Sequence, residues 1–168
     1  YVQEGVFNAF RDRVVKIASA LKLGPDGDVG RMTTDFQVAI IRAQLEQAKA
    51  RGARLLTGAN WDGRSREIPP LVIEAPPADC DLAREETFGP VIPLFRFRTE
   101  EEAVRLANDS PYGLSASVWS ADTERCRRVA RALVTGNVSI NNVMLTEGNH
   151  GLPFGGVRQS GFGRYKGE

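Results

Sequence analysis

The chain has 168 residues, 42% of them hydrophobic and 26% charged, which is the ordinary globular mixture and long enough for a real core. Its net charge of +1 gives no basic field for nucleic acid or anionic lipid, and no apolar run approaches the roughly 18–20 residues that span a bilayer. Two cysteines make no disulfide framework, so a reduced, cytoplasmic setting is expected.

Tyr1 and Val2 read as a strand end. Val6, Phe7, Phe10, Val14, Ile17 and Leu21 recur at helical spacing and predict a helix over about 4–21, with that set as its apolar face. Gly24-Pro25-Asp26-Gly27 closes it. A second helix is expected after Thr33 or Thr34, either of which can cap it, with Val38, Ile41, Leu45 and Ala48 inward and Gly52 as the stop. Arg54-Leu55-Leu56 is a short strand, residues 58–70 a loop, and Leu71-Val72-Ile73 the start of strand–helix alternation. Residues 91–97 read as a strand, and Thr99 with Glu102 forms a capping box for a helix through Ala107. Residues 114–119 form the next strand. A helix follows from about Asp122, with Cys126, Val129, Ala130 and Leu133 on one face, and then a strand at 137–140. Helical crossovers between strands predict an α/β fold: one open, mainly parallel sheet with flanking helices, holding the strands 91–97, 114–119 and 137–140, in a single domain over 1–168. The chain begins at Tyr1 with neither methionine nor a signal region and ends at Glu168 without a terminating feature, so both ends read as cuts inside a longer polypeptide.

Two segments can carry chemistry. In Glu85-Glu86-Thr87-Phe88-Gly89-Pro90, two carboxylates precede an aromatic and a Gly-Pro turn. Read one way, this is a solvated acidic turn with Phe88 as a core anchor. Read the other way, a carboxylate accepts hydrogen bonds from the diol of a ribose while the aromatic buries the face of a nicotinamide ring. Residues 151–164 hold five glycines around Phe154 and Phe162. Such a loop is either mobile surface or a place of close backbone approach.

The remaining candidates are weaker. Cys80 lies between Asp79 and Asp81, whose charges disfavour a thiolate, and Cys126 sits on an apolar helix face, so neither is expected to be a nucleophile. His150 is the only histidine, and no CxxC or HExxH occurs, so no metal site is expected. No G-x-S-x-G, GxGxxG or Walker loop is present.

Taken together, EETFGPVIPL at 85–94, LANDSPYGLSASVWS at 106–120, GNVSINN at 136–142 and PFGGVRQSGFGR at 153–164 resemble ordered motifs of the NAD(P)-dependent aldehyde dehydrogenases. The opening YVQEGVFNAF and the stretch ARGARLLTG fit the same family, so the resemblance covers essentially the whole chain. It implies the C-terminal part of that family's catalytic domain. The implied cofactor is NAD or NADP, with Glu86 on the nicotinamide ribose and Phe88 beside the ring. Phe154 is implied to line the pocket of a small-molecule aldehyde. The loop before it carries Thr146 and Gly148 where many relatives hold larger side chains facing the substrate. Ile68-Pro69-Pro70-Leu71 departs from the family's usual threonine-bearing stretch, which reads as a packing change. The resemblance further implies a homo-oligomer. The nucleophilic cysteine, expected a few residues before Tyr1, and the general-base glutamate further upstream are not in this sequence, so the chain alone is expected to be inactive. An acylating relative that passes its thioester to coenzyme A, or a non-catalytic module of the same fold, are the other readings.

Overall fold

The helix expected near the start forms as α1, Glu4–Ala20, directly after a short strand β1, Val2–Gln3, in this computed structural model, which describes residues 1–143 and 148–167. Its buried face differs from the expected one. Phe7 and Ala18 are buried with Val14 and Val15 packed against their cluster, whereas Val6, Phe10, Ile17 and Leu21 are exposed. At about 100° per residue these two sets are adjacent arcs of one wheel. The spacing therefore predicted the helix but not which arc of a broad apolar face the strands would cover.

Thr34 starts α2, Asp35–Ala50, accepting from Gln37 N at 3.2 Å. Val38, Ile41, Leu45 and Ala48 are buried as expected, and Gly52 follows the helix at a φ of 97°. Strand β2, Arg54–Leu55, pairs antiparallel with β3, Leu71–Glu74, and β3 pairs parallel with β4, Val91–Leu94. Beyond β2 the hydroxyl of Thr57 donates to Pro70 O at 2.6 Å and accepts from Val72 N at 2.8 Å, standing in for a ladder rung. All of β3 is buried, between clusters built on α2 and on α1. A short helix not anticipated from the sequence, α3, Asp81–Arg84, follows.

The expected strand 91–97 is two. At Phe95 the chain leaves β3, and β5, Arg96–Phe97, pairs parallel with β1 instead, with Val2 N donating to Phe95 O at 2.8 Å. Glu74 ties these strands together. Its carboxylate is 5% exposed and accepts from Arg54 at 2.5 Å, Arg96 at 3.1 Å and Arg11 at 3.5 Å. The Arg96 guanidinium also lies 3.6 Å from the ring centroid of buried Phe7.

These elements make up one compact unit, Tyr1–Arg98, and the rest form a second, Thr99–Glu168. In the second, Thr99 caps α4, Glu100–Asn108, by accepting from Glu102 N at 3.2 Å. Strand β6, Ser115–Val118, leads to α5, Thr123–Ala132, which is capped by Asp122, and β7, Asn137–Ile140, pairs parallel with β6. Arg128 on α5 holds Glu100 of α4 through two bonds of 2.6 and 2.7 Å. Parallel pairing is borne out, but a single sheet is not. The described strands form three small sheets, β1–β5, β2–β3–β4 and β6–β7. A helical crossover dictates strand direction and not which strand lies alongside, so adjacency was beyond the reach of periodicity. No helix of the described residues is long and apolar enough to cross a membrane.

Candidate functional site

Glu86 and Phe88 lie in the turn between α3 and β4, and that turn is held from below by α2. The hydroxyl of Thr87 meets Gln44 Oε1 at 2.6 Å. Gly89 lies against Ile41, so that a Cβ there would collide with Ile41 Cδ1. Beyond it Leu71 N donates to Pro90 O at 2.8 Å, leading the chain into β4. With Thr87 and Gly89 against the helix, Phe88 between them and Glu86 before them are exposed. Glu86 is exposed and makes no ion pair or side-chain hydrogen bond among the described residues, and Phe88 is 63% exposed. Phe88 is therefore not a core anchor. What the turn offers chemically is a carboxylate with unspent acceptor sites two residues from an aromatic face open to solvent.

In the second unit the glycine-rich loop is stitched down. Phe154 and Tyr165 exchange backbone bonds of 2.8 and 2.9 Å, and their rings meet edge to face at 5.6 Å. Val157 N donates to Gly113 O at 2.9 Å, Gly113 N to Ser160 Oγ at 3.0 Å and Gln159 N to Pro111 O at 3.0 Å. Arg158, at a φ of 56°, donates to Asn108 O and Ser110 O. Arg164 donates to Gly156 O at 2.8 Å. Of the two readings of this segment, close backbone approach is the one realised. Gly148 is exposed, with nothing within 4 Å of a Cβ built there. Thr146 lies outside the described residues. The expected site residues thus fall in both units: Glu86 and Phe88 in the first, Phe154 and Gly148 in the second.

Cys80 packs in the core under α2, and Cys126 is fully buried with its thiol 3.7 Å from Ser120 O. Both thiols are free. Among the described residues no group of three or more His, Cys, Asp and Glu side chains is placed to hold a metal ion.

Residues 1–168 match the aldehyde dehydrogenase family along their whole length. The chain belongs to that family. It is 46% identical over 169 residues to a 4,4'-diapolycopene aldehyde oxidase of a Methylomonas species, an alignment covering 99% of this chain and 32% of that protein. Among solved aldehyde dehydrogenases, succinate-semialdehyde dehydrogenase from Burkholderia pseudomallei superposes with a TM-score of 0.90 at 42% identity, over 99% of this chain and 35% of its own. Betaine aldehyde dehydrogenase from Staphylococcus aureus, solved in complex with NAD+, does so with a TM-score of 0.88 at 32% identity, again over 99% and 35%. The chain therefore spans about a third of the length of the aldehyde dehydrogenases it matches. These relatives bear the names of different aldehydes, so membership fixes no substrate for this chain.

Gln44 and Gln47 on α2 were not singled out in the sequence. A buried glutamine within an apolar helix face is the signal that could have drawn attention to Gln44.

Proposed function

We propose that the longer subunit to which these residues belong oxidises an aldehyde to a carboxylic acid, using NAD or NADP. The observation that carries this is the turn 85–90, where an unpartnered carboxylate and an exposed aromatic ring stand on a clamped backbone. That pair fits the nicotinamide end of a dinucleotide. Glu86 would accept from the ribose hydroxyls and so orient the sugar. Phe88 would cover one face of the ring and exclude water there. Bound in this way, the oxidised nicotinamide supplies the acceptor for the hydride leaving the aldehyde carbon.

Phe154 would bound the aldehyde pocket, with Thr146 and Gly148 leaving room beside it. Its ring is backed by Tyr165, which suits a fixed wall. The nucleophile would be a cysteine preceding this chain. Its thiolate attacks the carbonyl, and water hydrolyses the resulting thioester. The burial of Cys80 and Cys126 supports leaving that role to a residue elsewhere. Two free thiols accord with a cytoplasmic setting, and we take the working enzyme to be a homo-oligomer. The test is turnover by the full-length protein. A panel of aldehydes is offered with NAD+ or NADP+, and reduced nicotinamide is followed by absorbance. Formation of reduced cofactor with matching carboxylic acid is expected. No turnover of any aldehyde with either cofactor overturns the proposal.

A further inference from the structure

The face of α2 that meets residues 79–89 mixes apolar contacts with polar ones, although a helix face against a core is ordinarily apolar throughout. Gln44 is 5% exposed, yet it spends its amide oxygen on the hydroxyl of Thr87 at 2.6 Å. One turn on, Gln47 Oε1 accepts from Asp81 N at 2.7 Å, and at the C-cap, two turns on, Arg51 meets Asp79 at 2.6 Å. One turn back, Ile41 presses on Gly89. These residues step along a single face at helical intervals. The contacts run in order with the chain they hold: Arg51 to Asp79, Gln47 to Asp81, Gln44 to Thr87 and Ile41 to Gly89. The 16-residue helix and its C-cap Arg51 thus run alongside a segment whose one regular element is the short α3.

The two contacts nearest the exposed pair flank it. Thr87 lies between Glu86 and Phe88, and Gly89 follows Phe88. Fixing Thr87 and Gly89 fixes the backbone from which both outward side chains spring, although neither outward side chain is itself held. We infer that Gln44, acting through Thr87, is a positioning residue for cofactor binding: it sets where Glu86 and Phe88 stand. This rests on the function proposed above. A partly buried side chain–side chain bond with a 5%-exposed glutamine suits the task because alternatives to it are costly. Letting the turn lift leaves the glutamine amide buried without its partner.

The experiment uses the full-length protein and four variants: Thr87→Val, which keeps the shape and removes the hydroxyl; Thr87→Ser, which restores it; Gln44→Leu; and the Thr87→Val/Gln44→Leu double variant. Dissociation constants for NAD+ and NADP+ are measured by calorimetry without aldehyde, and the KM for the aldehyde is measured separately. Hydrogen exchange is followed at the amides of 86–89. Thr87→Val and Gln44→Leu are each expected to weaken cofactor binding about 3- to 10-fold. The double variant is expected to be no worse than either single one, and Thr87→Ser to lie near wild type. Exchange at 86–89 is expected to quicken in Thr87→Val while the aldehyde KM stays put. A residue that served stability alone would lower the melting temperature without this split. Unchanged cofactor affinity in Thr87→Val and Gln44→Leu, with the wild type binding normally, overturns the inference, as does unchanged exchange at 86–89. Failure of the proposed function looks different. The wild-type protein then binds neither cofactor, and the inference falls with it.

Discussion

Gly136 lies against the carbonyl of Gly155 more closely than any side chain permits, at the point where the glycine-rich loop crosses the start of β7. The loop's course depends on that approach. Gly136 N also donates to Gly113 O at 3.0 Å, and Asn137 Nδ2 to Gly155 O at 3.3 Å. Gly136→Ala is therefore expected to destabilise the protein by roughly 1–3 kcal/mol, since backbone rather than a flexible side chain must move. Gly148→Ala, with open space around it, is the matched control and is expected to be near neutral. Denaturant unfolding of the two variants decides it, and equal midpoints would remove the close approach from the account.

Glu74 is expected to make stability fall in acid. Burial alone would raise its carboxyl above the ordinary range, but the hydrogen bonds from Arg54 and Arg96 outweigh burial and hold it below. A depressed carboxyl stabilises the folded state above its unfolded pKa, about 4.3, and that contribution is lost as pH falls through the depressed folded value. Glu74→Gln is expected to cost about 1–3 kcal/mol at neutral pH, discounted because the Arg54 side chain is 63% exposed. It is also expected to flatten the acid limb. Thermal melts of both proteins from neutral pH downward test this, and parallel curves would exclude Glu74 as the titrating group.

Both cysteines are expected to resist thiol reagents in the folded protein. Each has no exposed surface, so labelling of either waits on opening of its surroundings. A maleimide time course with mass mapping should give slow modification that accelerates in denaturant. Immediate labelling of Cys126 would contradict its place inside α5.

Glu86→Gln in the full-length enzyme is expected to slow hydride transfer on the order of 100-fold while leaving thioester formation close to normal. The amide keeps the size of the side chain but accepts weaker hydrogen bonds than a carboxylate. Single-turnover measurements separate the two steps. If both rates are unchanged and cofactor affinity is too, Glu86 has no part in the site.

Much of this was legible in the chain itself, and the exceptions share a physical origin. Thr99 announces its helix, and the pair Thr33–Thr34 and Asp122 mark where theirs begin, because capping is settled by residues within one turn. Val38, Ile41, Leu45 and Ala48 announce a buried face because they recur at one helical spacing, with Phe36 left exposed. On α1 two apolar arcs compete, and only contact with β1 and β3 chooses Phe7 over Phe10. The break at Phe95 is non-local in the same way, since it depends on a strand at the other end of the unit. At the candidate site, the residue types of 85–90 were readable. The outward turn of Phe88 was not, because which side of the turn meets α2 is set by contacts distant in sequence, Thr87 with Gln44 and Gly89 with Ile41.

The pairing of Val2 with Arg96 has a consequence for how the protein comes into being. β2 and β3 are close in the chain and can meet early. Among the described residues β1 pairs only with β5, so that pairing waits until Phe97 has been made. Joining distant segments carries a larger loop-closure entropy than joining near ones and is the slower event. During synthesis α1 is therefore complete well before β5, and Phe7 lacks until then the Arg96 guanidinium that later covers its ring. In that interval the β5 side of β1 is open to mispairing in a way that the finished fold is not.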